Sequence, residues 1–280
     1  MVVIIAFFES IGDQKVGTTI ASFLKNTVGS RYDVLFSGNS ISNDAYSSYY
    51  NGGLLGFIDK SQLSFYIKTY PSEIYQGFFA FNTKRKNFGF GGYINSMYSS
   101  YLQETDEDHP FGTGYYWNYN NIVLGLTGGT KLYDRFGIGF SFKFIQENIA
   151  NRSYNGFALD IGSIYLIGYR DIRIGVGIYN LGPDIKGYSL PIVFRLSVSG
   201  DIFKNIYLVS QLEKGSDRFE IFSFALERSI SIVSIRTGIN SVGNYSFGLG
   251  IKLSKVYMDY AFLSKGQFGV LNSINVGYIR

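Results

Sequence analysis

The stretch that decides the fold is Phe136-Gly137-Ile138-Gly139-Phe140-Ser141-Phe142-Lys143-Phe144. Every second residue is large and apolar, and the residues between are glycine, serine or lysine. A period of two places the first set on one face of an extended chain and the second on the other. The same pattern returns at Ile172, Ile174, Val176 and Ile178, which alternate with Asp171, Arg173, Gly175 and Gly177. It returns again at Tyr245, Phe247, Leu249, Ile251 and Leu253, which alternate with Ser246, Gly248, Gly250 and Lys252.

Working outward from these segments, the alternation predicts strands near 60–68, 75–83, 87–102, 115–130, 136–147, 153–167, 171–180, 190–200, 204–213, 219–228, 231–239, 244–253, 255–263 and 268–279. That makes fourteen strands. An even strand number is the habit of single-chain bacterial barrels. Most segments reach the roughly 9–11 residues that a tilted strand needs to cross a bilayer. No apolar run reaches the roughly 18 residues of a membrane-spanning helix.

Alternation alone does not say which face is wet, but two observations favour a closed barrel over a sandwich. Mid-strand charges (Lys143, Asp160, Arg173, Arg195, Arg236, Lys252 and Asp259) keep to the small, polar parity. A Lys or Arg facing lipid near the midplane costs roughly 2–4 kcal/mol, whereas a polar lumen accepts it. Connection lengths also sort by side. The longer links, including 103–114 and 181–189, fall on one side, and short turns near 84–86, 133–135, 168–170, 201–203 and 229–230 on the other. Short periplasmic turns with longer outer loops are expected of an outer-membrane protein. The fold class is therefore all-β: a closed antiparallel transmembrane barrel of about 14 strands over residues 60–280, in contact with outer-membrane lipid.

Before residue 60 the pattern changes. Ile20–Val28 has mixed apolar spacing, and Asp44–Leu55 starts at an Asn43 or Asp44 cap and stops at Gly52-Gly53. Residues 13–59 are read as a plug holding one or two small helices in the lumen. Residues 1–12, with the apolar run Val2–Phe8, read as the remnant of a signal peptide.

Composition excludes several functions. The chain has no Cys and one His, so no disulfide scaffold, thiolate site or Cys–His pair is available. His109 lies in the acidic run Glu104-Thr105-Asp106-Glu107-Asp108, whose spacing is not that of a calcium loop. Gly125–Gly129 and Gly137-x-Gly139 do not open a helix and so make no phosphate cradle. The +4 net charge is dispersed, and Lys84-Arg85-Lys86 reads as a basic turn, so no nucleic-acid partner is expected. Tyr115-Tyr116-Trp117 reads as part of an interfacial aromatic girdle. No enzyme activity, metal or cofactor is expected.

Several stretches resemble a known family. They are Gly17 with Phe23-Leu24, Gly29-x-Arg31, Gly38, Asn43-Asp44 and Tyr49-Tyr50-Asn51-Gly52-Gly53-Leu54, then Tyr179-Asn180-Leu181-Gly182-Pro183-Asp184, Leu190-Pro191 and Phe194-Arg195-Leu196. Arg236-x-Gly238, Phe247-Gly248-Leu249-Gly250 and Asp259-Tyr260-Ala261-Phe262 complete the series. In order and spacing they resemble the PorV/PorQ family of the FadL-like outer-membrane superfamily. The resemblance implies a plugged barrel that admits hydrophobic small molecules such as long-chain fatty acids, or else a PorV-type docking protein for type IX secretion cargo or its translocon. A structural barrel or surface antigen is a third reading. Where the family has Pro-Ala after Asn51 this chain has Gly52-Gly53, which is expected to loosen the turn. The residues expected to matter are Phe23, Leu24 and Val28 against an apolar ligand, Asn51 tying plug to wall, and Asn180, Leu181 and Pro183 shaping an outer loop.

Overall fold

The computed structural model describes residues 18–266 and 269–280. The signal-peptide reading of residues 1–12 lies outside the described residues, as do residues 13–17 of the expected plug.

Fourteen antiparallel strands close into one barrel: β1 (Gln62–Tyr70), β2 (Ile74–Arg85), β3 (Phe88–Ser99), β6 (Tyr119–Tyr133), β7 (Phe136–Ile149), β8 (Arg152–Leu166), β9 (Arg173–Leu181), β10 (Val193–Phe203), β11 (Ile206–Gly215), β12 (Ile221–Ile230), β13 (Val233–Asn240), β14 (Tyr245–Leu253), β15 (Val256–Ser264) and β16 (Val270–Ile279). Each strand pairs with its sequence neighbour, and β1 closes on β16 from Gln62↔Ile279 to Thr69↔Asn272. Two further two-residue strands, β4 (Leu102–Gln103) and β5 (Tyr116–Trp117), form a small ladder in the longest loop. Tyr116 and Trp117, read as girdle residues, belong to this ladder.

The two faces obey the alternation. Phe65, Phe140, Phe142, Phe157, Phe224 and Phe247 all point outward and are exposed on the bare chain. Lys143, Asp160, Arg195, Arg236 and Asp259 point inward and are buried. Hydrocarbon around the wall leaves no room for unpaired backbone groups, and closure removes the edge where they would occur. Two-residue turns at 86–87, 134–135, 204–205, 231–232 and 254–255 gather at one end, and the long connections 100–118 and 182–192 at the other.

Residues 18–58 fill the lumen. They hold only four short helical turns: α1 (Ser22–Lys25, 3-10), α2 (Ser30–Leu35), α3 (Ser47–Tyr50) and α4 (Gly52–Phe57, 3-10). These turns satisfy part of the segment's backbone, and the wall supplies donors to carbonyls they leave over. Gln62 Nε2 donates to Asn43 O, Asn82 Nδ2 to Asp44 O, Thr127 Oγ1 to Ser48 O, Gln211 Nε2 to Phe36 O and Ser246 Oγ to Val34 O, all within 2.6–2.9 Å. The polar parity of the strands thus has a structural purpose beyond avoiding lipid.

The Gly52-Gly53 turn is tight, contrary to the expectation of a loose one. α4 lies directly on wall glycines. A Cβ at Gly129 would sit 1.9 Å from Gly52 O, one at Gly139 2.2 Å from Gly52 C, and one at Gly137 2.5 Å from Gly53 O. A Cβ on Gly53 itself would come 2.9 Å from Gly137 O. Glycine on both surfaces allows backbone to touch backbone. A Cβ on Gly52 would come 2.9 Å from Thr127 Cγ2 and 3.1 Å from the Gly139 backbone.

Candidate functional site in the plugged lumen

The segment enters the lumen at the long-loop end, where Ile20 N donates to Ser189 O and Ala21 N to Glu147 Oε2. It leaves at the short-turn end, where Ile58 leads into β1. Three layers of contact hold this segment between these points, and the first two interleave: Lys143 Nζ lies over the Tyr49 ring at 5.9 Å and Lys68 Nζ donates to Thr27 O at 3.0 Å.

The first layer is apolar. Phe23, Leu24 and Val28 are 2%, 3% and 0% exposed. They share one cluster with Tyr46, Tyr49 and Tyr50 of the plug and with Phe78, Tyr93, Met97, Val123 and Ile145 of the wall. These larger wall members come from β2, β3, β6 and β7, and the cluster extends round the wall to Tyr66, Ala158, Val209 and Ala225. Two tyrosines brace the entering segment. The Tyr49 hydroxyl donates to Asn26 O at 2.8 Å, and the Tyr50 hydroxyl receives Val28 N–H at 2.9 Å and donates to Val28 O at 2.8 Å. The rings stack through the layer, with Tyr46 on Phe78 at 5.3 Å and Tyr49 edge-on to Tyr93 at 5.3 Å.

The second layer is a set of charged latches between plug and wall. Asp33 on α2 meets Lys68 Nζ at 2.7 Å and accepts from the Tyr66 hydroxyl at 2.6 Å and Ser273 Oγ at 2.7 Å. Arg31 grips Glu227 with two bonds of 2.8 Å, and Glu227 in turn binds Arg236, which reaches Asp259 at 2.6 Å. Fork-to-carboxylate pairing of this kind fixes orientation as well as adding energy. Lys143 meets Asp160 at 2.6 Å and Asn180 Oδ1 at 2.7 Å.

The third layer is a cavity of about 800 Å³ at the short-turn end, lined by Arg31, Asp44, Phe57, Arg236, Lys252 and Tyr257 among others. Its lining mixes charged side chains with apolar ones such as Leu54, Ile58 and Ile251. Burial lifts the Asp44 carboxyl to about 6, against the opposing pull of the Tyr32 hydroxyl and the Arg31 guanidinium.

Of the residues singled out by sequence, Phe23, Leu24 and Val28 come together in the apolar layer. Asn51 stands between plug and wall. Its Nδ2 donates to Ser163 O at 2.9 Å and to Asn39 O at 2.8 Å, and its Oδ1 receives Gly53 N–H at 3.0 Å. Asn180 is buried inside the wall at the end of β9, where the β8–β9 register shifts, and accepts from Lys143. Leu181 ends β9 and Pro183 is exposed in the long loop, so these three do not form one surface. His109 is exposed and bonded to Asp106, and no group of metal-ligating side chains occurs among the described residues. Sequence reasoning missed Asp33, Lys68 and the tyrosines Tyr32 and Tyr46. The inward parity of Lys68 was the available signal for the first pair.

No protein-family model and no curated protein sequence matches this chain. Solved structures do. The Pseudomonas putida toluene transporter TodX matches with a TM-score of 0.65 at 10% identity, over 96% of this chain and 99% of the other. A Pseudomonas aeruginosa FadL homologue matches with a TM-score of 0.65 at 10% identity, over 91% and 99%. The monoaromatic hydrocarbon channel CymD matches with a TM-score of 0.66 at 9% identity, over 90% and 97%. The fold is that of the FadL-type channels. A closed barrel of this fold with a greasy outer wall is an outer-membrane protein, and short turns at one end with long loops at the other are the arrangement expected of one. The finer PorV/PorQ resemblance draws no support from these matches.

Proposed function

We propose that this FadL-type barrel is a passive outer-membrane channel for hydrophobic small molecules, gated by its plug. The observation that carries the reading is the lumen's content: an apolar cluster built from plug and wall, charged latches interleaved with it that hold the plug to the wall, and a cavity at the short-turn end. An apolar solute that passes the outer loops meets Phe23, Leu24 and Val28 first. Displacing one such side chain from its cluster costs roughly 1.5–3 kcal/mol, and burying an apolar solute of similar size in its place returns a similar amount. Exchange between plug side chain and solute is then close to neutral, which suits passage better than tight capture. The aromatic lining offers a surface for flat rings as well as for acyl chains, so long-chain fatty acids and small aromatic hydrocarbons are both candidate cargo. Asn51 serves as the fixed point about which the upper plug moves, and Pro183 belongs to the outer mouth.

Vesicles with lipopolysaccharide in the outer leaflet, which slows unaided entry of apolar solutes, are expected to take up a labelled long-chain fatty acid or toluene faster when they hold the purified barrel, with no gain for glucose. Equal uptake with and without protein would end this reading. The matched folds lend secretion docking no support.

A further inference from the structure

The two rims of the barrel carry opposite charge. The outer rim holds the acidic run Glu104, Asp106, Glu107 and Asp108 in the 100–118 loop. The periplasmic rim is basic, most densely over four neighbouring connections: 86–87, 134–135, 167–172 and 204–205. Along this arc lie Lys84, Arg85, Lys86, Arg135, Arg170 and Lys204, none of which makes an ion pair among the described residues. Two of them are held in place by main-chain carbonyls rather than by carboxylates. Arg135 Nη1 donates to Ile167 O at 3.1 Å and Arg170 Nη1 to Ile202 O at 3.3 Å. Arg170 also lies over the Tyr169 ring, 5.4 Å from its centre. Both guanidiniums keep donors free for an outside acceptor.

The arc carries aromatic side chains at the same height. Phe88, Tyr133, Tyr169 and Phe203 are 57%, 75%, 61% and 71% exposed. Rings of this kind mark the headgroup level of a bilayer. A basic patch built for a protein or a soluble polyanion has no need of greasy rings beside each charge. Nor would it follow the rim from turn to turn.

We propose that this arc binds the phosphate headgroups of anionic glycerophospholipids in the periplasmic leaflet. The rings sit at the glycerol level, Arg135 and Arg170 act as pre-positioned phosphate donors, and Lys84, Arg85, Lys86 and Lys204 supply long-range attraction. The surface concerns the annulus outside the wall and is independent of what crosses the lumen.

The test measures lipids retained by the full barrel from mixed vesicles of phosphatidylglycerol and phosphatidylcholine, by native mass spectrometry. Wild type is expected to enrich phosphatidylglycerol, and the enrichment to vanish in high salt. The triple variant R135Q/R170Q/K204Q is expected to lose roughly an order of magnitude of that preference. Arg152→Gln, at the outer rim, is expected to keep it. Heat-modifiable gel mobility identifies any variant that has failed to fold, and the salt dependence of wild type then stands as the second measurement. A ratio of one in wild type, or a preference unmoved by both salt and the triple variant, would overturn the proposal. So would selective retention of lipid A lost in the same variant, which would put this rim in the outer leaflet. Tight binding of polyglutamate without lipid preference would assign the arc to an acidic protein and overturn it equally.

Discussion

Placing one methyl group at Gly129 should pry the plug from the wall. Gly129 lies mid-sheet in β6, paired with Gly89 on one side and Gly139 on the other, so its own backbone has little freedom to yield. The added Cβ would fall 1.9 Å from Gly52 O, while ordinary contact begins near 3.4 Å. Relief therefore needs a displacement of about 1.5 Å (3.4 minus 1.9), and the plug side must make it. Over-packing of this kind costs roughly 1–3 kcal/mol. The shift falls on α4, next to the bonds of Asn51 that tie plug to wall. Gly128→Ala provides the matched control, since a Cβ there meets nothing within 4 Å. In planar bilayers G129A is expected to show larger and more frequent ion-conducting openings than wild type, with a lower Tm, while G128A behaves as wild type. If G129A and G128A conduct and melt alike, the account of the glycine contact is wrong.

Three further outcomes are expected. Asp33→Asn leaves Lys68 buried without its carboxylate, which costs on the order of 3–5 kcal/mol. A double-mutant cycle with Lys68→Met should recover much of the lost Tm. Phe23→Ala should destabilise by roughly 3–5 kcal/mol if the space stays empty and speed uptake of an apolar probe, read by Tm and by liposome flux in the same preparation. For Asp44, a folded-state value of about 6 lies above the ordinary carboxylate value of 3.8. Its contribution is fully present below about pH 3.8 and is lost as pH rises through about 6, so stability attributable to this group falls across that window by about 3 kcal/mol at most. Asp44→Asn should flatten that part of the Tm-versus-pH curve, and an unchanged curve would remove Asp44 from the explanation.

The barrel was legible because a lipid-facing wall forces one rule on every strand. Phe136 to Phe144 reads the same way as Tyr245 to Leu253, and the strand limits fall within a few residues of those expected. The burial of Lys143, Asp160, Arg195, Arg236 and Asp259 followed from parity alone, since hydrocarbon admits none of them. Their partners did not follow. Asp33 and Lys68 are 35 positions apart in the chain and meet only because barrel closure and plug path bring them together. Asn180 ends an expected strand, and the family resemblance of Asn-Leu-Gly-Pro assigns it to the outer loop. A register shift in β9 instead turns its side chain onto Lys143. The plug resisted reading most, because its turns are held by wall side chains and by wall glycines rather than by any local periodicity.

A tether between plug and wall tests the gating claim most directly. The Gly248 Cβ position lies 3.5 Å from Val34 Cβ, inside the range that a disulfide spans, and the natural chain contains no Cys to interfere. Uptake of an apolar probe into vesicles with a lipopolysaccharide outer leaflet should be measured for V34C/G248C, oxidised and then reduced. A gated channel predicts slow uptake when oxidised and wild-type uptake once the bond is reduced. Equal rates in both states would mean that cargo passes without the plug moving, and would contradict the account.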